Sequence, residues 1–142
     1  KQDVEPTIST LNFAINLNEK AKKANKIINI HIAVDSGMGR IGFKNNTKDI
    51  EDIISISKLS NLRLESIFSH FSTADSLDKT YSKQQMDIYN SIINTLEENN
   101  VTINKRNLSN SAAIIDIPES HYNYVRPGII QYGSPSNLRP SY

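Results

Sequence analysis

Two hydrophobic periods take turns along this chain. From Ser9, which reads as an N-cap, Leu11, Ala14, Leu17, Ala21 and Ala24 recur every three to four residues and predict a helix. Ile28, Ile30, Ile32 and Val34 then alternate with other residues, predicting a strand that runs into the turn Asp35-Ser36-Gly37-Met38-Gly39. The cycle repeats. Ile50, Ile53 and Ile54 mark a helix, Leu62 to His70 a strand, Met86, Tyr89, Ile93 and Leu96 a further helix, and Ile103 to Leu108 a further strand. A short apolar turn covers Ala112 to Ile117, Pro118 stops it, and a last strand is expected from about Tyr124 to Tyr132.

Strands that begin near residues 28, 63 and 103, with amphipathic helices between them, specify βαβ units and a parallel sheet. The fold class is therefore α/β. A closed (β/α)8 barrel needs about 250 residues, so the four or five strands of this 142-residue chain fit part of a TIM-type barrel with two open edges. A small doubly wound domain would need a Gly-rich phosphate turn after its first strand, and the first segment, Val4 to Ser9, has none. The chain starts at Lys1 and stops soon after the turn-like stretch Pro135-Ser-Asn-Leu-Arg-Pro140. Both ends are expected to be cuts in a longer product, with residues 1–142 forming one partial barrel domain.

Composition removes several function classes. Sixteen basic and fifteen acidic side chains nearly cancel, which gives no reason to expect nucleic acid or an anionic membrane as partner. Without cysteine there is no disulfide framework, zinc ribbon or thiol nucleophile, and a reduced cytoplasm suits the chain. No metal is expected. No apolar run approaches the roughly 20 residues of a membrane span.

Parallel α/β folds gather their chemistry on the loops after the strands. Those loops carry Asp35, Ser36, Met38 and Arg40; then Ser69 to Asp75, including His70; then Asn110, Ser111 and Ala112; then Arg126, Pro127, Gly128 and Ile129. Ser111 opens a helical turn, where its hydroxyl and the amides of Ala112 and Ala113 can face an anion, and Gly128, lacking a Cβ, lets backbone approach it. The bland alternatives are an N-cap and a turn. An imidazole at His70 can lie against an aromatic cofactor or serve as a satisfied core histidine, and Arg40 offers a planar fork to an anion or pairs with Asp35. His31 and His121 read as structural or surface residues. Gly37, Gly39 and Gly42 match a G-x-G-x-x-G count, but Phe43-Lys44-Asn45-Asn46 delays the helix and no acidic residue closes a second strand about 20 residues on, which argues against a dinucleotide.

Four segments in order resemble the alanine racemases: His31-Ile-Ala-Val-Asp-Ser-Gly-Met-Gly-Arg40-Ile-Gly-Phe43, Ser69-His70-Phe-Ser-Thr-Ala-Asp75, Asn110-Ser-Ala-Ala113, and Val125-Arg-Pro-Gly-Ile129 followed by Tyr132-Gly133. The resemblance implies a (β/α)8 barrel plus a C-terminal β domain, with this chain as the central to last barrel strands. It implies pyridoxal 5'-phosphate as cofactor, Ser111 with Asn110 and the Gly128-Ile129 backbone at the phosphate, His70 on the pyridine ring, and Arg126 donating to the ring nitrogen. A guanidinium there disfavours protonation of that nitrogen and makes the ring a weaker electron sink. Arg40 is implied to bond the phenolic oxygen and the substrate carboxylate. The implied activity is two-base interconversion of L- and D-alanine by a cytoplasmic homodimeric isomerase, supplying D-alanine for peptidoglycan precursors.

Two departures stand out. Many members carry a carbamylated lysine that braces the arginine where this chain has Ala33, so Arg40 is expected to be braced by a bound anion or another side chain. The family's cofactor-binding lysine and its tyrosine base match no position here, so no catalytic base is expected in this segment, and alone it is expected to be inactive. Alternatives are another amino-acid racemase of the same barrel class and a module that binds pyridoxal phosphate, or another phosphate-bearing ligand, without chemistry.

Overall fold

The computed structural model describes residues 4–133, and the turn-like stretch 135–140 lies outside them. Four parallel strands, β1 (Thr7–Ile8), β2 (Ile28–Ala33), β3 (Leu62–Phe68) and β4 (Lys105–Asn107), lie side by side in chain order. Helices α1 (Leu11–Lys23), α2 (Thr47–Ser57) and α3 (Thr80–Glu98) connect them, and α4 (Ser111–Asp116) follows β4. The strand order never reverses, unlike that of a doubly wound sheet. Right-handed crossovers then put successive helices on one side, and α1 packs on α2 and α2 on α3.

The alternation of β2 sorts its side chains. Ile30 and Ile32 are fully buried and join Ile8 and Ile67 under the helices. Against them lie Ala14 of α1, Ile50, Ile53 and Ile56 of α2, and Tyr89, Ile92, Ile93 and Leu96 of α3. Each fully buried isoleucine contributes roughly 1.5–3 kcal/mol relative to exposure. The other face is polar and open: Thr7, His31, Ser66, Lys105 and Asn107 line a hollow there with Phe68 and Arg126.

Polar side chains set the element ends. Thr10, rather than Ser9, caps α1 by accepting from the Phe13 amide at 3.3 Å, and Lys20, Lys22 and Lys23 complement the dipole at its last turn. Asn46 caps α2 through the Asp49 amide at 3.0 Å. Buried Asn18 of α1 accepts from the Asn61 amide at 3.0 Å and ties that helix to the start of β3.

The strand expected from Tyr124 to Tyr132 does not form. Tyr124 makes a single bridge to Asn107, and Ile129–Tyr132 is a 3-10 turn. Pro127 has no amide to donate, and the neighbouring amides are spent elsewhere: Arg126 N–H on the Ser109 carbonyl, Gly128 and Ile130 N–H on the Ser111 hydroxyl. β3 and β4 are also shorter than the expected Leu62 to His70 and Ile103 to Leu108, and beyond Phe68 and Asn107 the chain turns into the loops that carry the polar side chains.

Candidate functional site

The loop after β2 is tied shut at its neck. Val34 and Phe43 form a parallel bridge; Phe43 N–H donates to the Ala33 carbonyl at 3.0 Å and Asp35 N–H to the Phe43 carbonyl at 2.7 Å. Asp35 Oδ1 accepts from the amides of Gly37 and Gly39 at 3.0 and 2.9 Å. Gly42 has φ +119°, and a Cβ there would stand 2.7 Å from the Ala33 carbonyl oxygen, so only glycine fits. The three glycines thus close a loop and do not open a helix, since α2 begins at Thr47. Arg40 is exposed on this loop. The alternative reading, a pair with Asp35, is not formed; Oδ1 of that carboxylate accepts from the loop amides instead. Among the described residues no carboxylate lies within 4.0 Å of the Arg40 guanidinium.

His70 and Arg126 meet where β3 and β4 end. Arg126 Nη2 donates to the Ser69 carbonyl at 2.5 Å and to His70 Nδ1 at 3.1 Å, and Nη1 reaches the Asn107 carbonyl at 3.4 Å. The guanidinium lies 5.1 Å from the Phe68 ring centroid, within cation–π range. Burial first, then the charges of Arg126 and Arg40, push the His70 imidazole below the usual histidine range, so it is neutral at pH 7. Burial also lowers the Arg126 guanidinium from its ordinary value, yet an arginine keeps its charge at neutral pH.

The third cluster surrounds Ser111, whose Oγ accepts from Gly128 N–H at 2.8 Å and Ile130 N–H at 3.3 Å. One expectation changes here: the Ala113 amide is not free, since Asn110 Oδ1 accepts from it at 3.1 Å. Gly128 has a negative φ, and a Cβ there would stand 3.5 Å from Ser111 Oγ, an ordinary contact, so neither the sign of φ nor space demands glycine at this position.

One cleft of about 410 Å3 brings His70, Asn110, Ser111, Arg126, Gly128 and Ile129 together. That volume falls in the usual range for small-molecule sites. Arg40 lies beside it, lining a smaller crevice with Asp35, Met38 and His70. A hollow of about 460 Å3 bounded by Lys26, Ile28, Asn29 and Arg63 is formed around the opposite, N-terminal ends of β2 and β3 and holds none of these residues. His31 and His121 are structural: His31 bonds Glu5 at 2.9 Å and Ser66 at 2.6 Å, and His121 Nε2 donates to the Ile114 carbonyl at 3.1 Å. Tyr81 and Gln85 of α3, which also reach the site loops, were not foreseen. The available signal was a glutamine on the helical stripe shared by Tyr89, Ile92 and Leu96.

Among the described residues no cluster of three or more metal-ligating side chains occurs, and no helix is long and apolar enough to cross a membrane.

Residues 1–136 match the family model described as "Alanine racemase, N-terminal domain". The chain is 49% identical over 138 residues to the alanine racemase of Clostridium novyi, covering 96% of this chain and 36% of that protein. It is 48% identical over 133 residues to that of Clostridium tetani, covering 94% and 34%. A solved alanine racemase of Clostridium difficile, in complex with cycloserine, superposes with a TM-score of 0.89 at 41% identity, covering 95% of this chain and 36% of that one. The chain thus spans about a third of the length of these relatives. Its β/α units are part of a TIM-type (β/α)8 barrel.

Proposed function

Because the chain belongs to the alanine racemase N-terminal domain family, we propose that it forms the cofactor-binding part of a pyridoxal-phosphate-dependent alanine racemase interconverting L- and D-alanine. The observation that carries this reading is the convergence, in one cleft, of a hydroxyl with two amides around it, a neutral imidazole and a buried guanidinium.

The donor set fits the cofactor. Ser111, its neighbour Asn110 that caps α4, and the Gly128-Ile129 backbone suit a phosphate, and all of them line the same cleft. His70 offers a flat apolar face, and Arg126 is held by two carbonyls at the strand ends. Bound there, pyridoxal phosphate supplies an electron-withdrawing ring that acidifies the Cα–H of an amino acid. Arg126 carries a charge that it does not give up, and so keeps a neighbouring basic nitrogen unprotonated. Among the described residues Arg40 has no carboxylate partner, and it takes the substrate carboxylate in its planar fork, orienting the Cα–H bond.

The proton-transferring lysine and tyrosine of the family match no position in this chain, so its share of the reaction is binding and orientation. The remaining barrel strands and a C-terminal β domain complete the protein, which works as a cytoplasmic homodimer with the tyrosine supplied across the interface.

The test is chiral analysis after incubation with L-alanine and pyridoxal phosphate. The intact protein is expected to approach an equal mixture of enantiomers, and residues 1–142 alone to stay at the rate of the free cofactor. An intact protein that takes up the cofactor yet leaves alanine unchanged would sink the reading.

A further inference from the structure

Three side chains one helical turn apart on α3 each donate to a backbone carbonyl of a site loop or strand. Tyr81 Oη reaches the Gly37 carbonyl at 2.7 Å, Gln85 Nε2 the His70 carbonyl at 3.1 Å, and Tyr89 Oη the Ile67 carbonyl at 2.9 Å. The spacing i, i+4, i+8 puts them on one face. Gln85 is fully buried, and its Oε1 accepts from both the amide and the hydroxyl of Ser72, at 3.0 and 3.1 Å. A buried carboxamide is costly unless bonded, and every bond of this one goes to the loop that carries His70.

The same face touches the Arg40 loop. A Cβ on Gly37 would stand 2.8 Å from Tyr81 Oη and 3.4 Å from Gln85 Cγ, so the backbone of Gly37 rests on both side chains at once. Arg40 has no carboxylate partner among the described residues, which leaves the loop backbone to place it. That backbone is tied at its neck by Val34 and Phe43, inside by Asp35, and at Gly37 by Tyr81.

We propose that the first two turns of α3 are a two-loop clamp, in which Tyr81 and Gln85 are positioning residues that hold Arg40 and His70 in register with each other. What the two loops bind rests on the function proposed above; the clamp itself rests on the hydrogen bonds.

Tyr81→Phe and Gln85→Met in the intact protein test it with two readouts. Loss of one hydrogen bond predicts that the Gly37 and Gly39 amides exchange with deuterium about fivefold faster in Tyr81→Phe, and the Ser72 amide about fivefold faster in Gln85→Met. Amides of Ile92 to Leu96 should not change in either. In Tyr81→Phe the KM for alanine is expected to rise about fivefold with kcat within about twofold, the pattern of lost uniform binding. Tyr81 is partly exposed and Phe keeps its ring, so that variant decides the matter if Gln85→Met does not fold. Unchanged exchange at Gly37 and Gly39 overturns the clamp. Faster exchange with unchanged KM and kcat in an active enzyme overturns the positioning role. Faster exchange in Tyr81→Phe, where the unsubstituted intact protein itself racemises nothing, supports the clamp and overturns the proposed function instead.

Discussion

Arg126 Nη2 stands 3.1 Å from His70 Nδ1, and because a guanidinium only donates, Nδ1 is an acceptor and the ring proton sits on Nε2. The imidazole is therefore neutral, with its single N–H on Nε2.

Burial first, and then the charges of Arg126 and Arg40, give His70 a pH dependence. The unfolded chain binds a proton on His70 near the ordinary value of 6.5, whereas the folded chain binds it only at lower pH. Between those two values the unfolded state holds more protons, so the stability contributed by His70 is complete above about pH 6.5 and is lost as pH falls through the folded value. NMR titration of the His70 ring should show the depressed midpoint. Arg126→Met, which removes the charge that lowers His70 most after burial itself, should move it upward.

Gly42→Ala should destabilise the protein by about 3 kcal/mol or more, from a backbone conformation that alanine resists and a clash with the Ala33 carbonyl. Denaturant unfolding of the intact protein checks this. Gly39→Ala should cost less, since at Gly39 a Cβ meets nothing within 4 Å and only the positive φ counts.

Ser111→Ala removes the acceptor of the Gly128 and Ile130 amides together with the hydroxyl offered to an anion. A Kd for pyridoxal phosphate raised about tenfold is expected, the worth of one or two hydrogen bonds to a charged group. Equilibrium dialysis at fixed pH would read it, and a Kd unchanged within about twofold would remove Ser111 from the phosphate site.

Tyr89→Phe leaves the Ile67 carbonyl without its buried donor while keeping the ring against Tyr122, 5.3 Å away between centroids. A loss of about 1–2 kcal/mol in thermal or chemical unfolding is expected.

Much of this was legible along the chain, for reasons that differ by element. The period-two run of Ile28, Ile30 and Ile32 and the helical stripe through Tyr89, Ile93 and Leu96 are local signals of burial, and the structure buries Ile30, Ile32, Tyr89, Ile93 and Leu96. The segment after Tyr124 misled because its apolar residues fit a strand, while Pro127 and the hydroxyl of Ser111, 17 residues from Gly128, redirect its amides. The positions of His70, Ser111, Arg126 and Gly128 came from counting loops after strands. The reach of Tyr81 to Gly37, 44 residues away, is encoded only in how α3 lies across the sheet. Gln85 could have been suspected, as a polar residue on an otherwise oily stripe.

The unreversed strand order reaches beyond the site. A sheet whose every step goes the same way coils with one sense, and each added unit brings another strand to the free rim with its helix in the same outer shell. Growth by such steps carries the far rim round toward the near one, so the polar hollow lined by His31, Ser66 and Lys105 becomes the lumen of a closing ring.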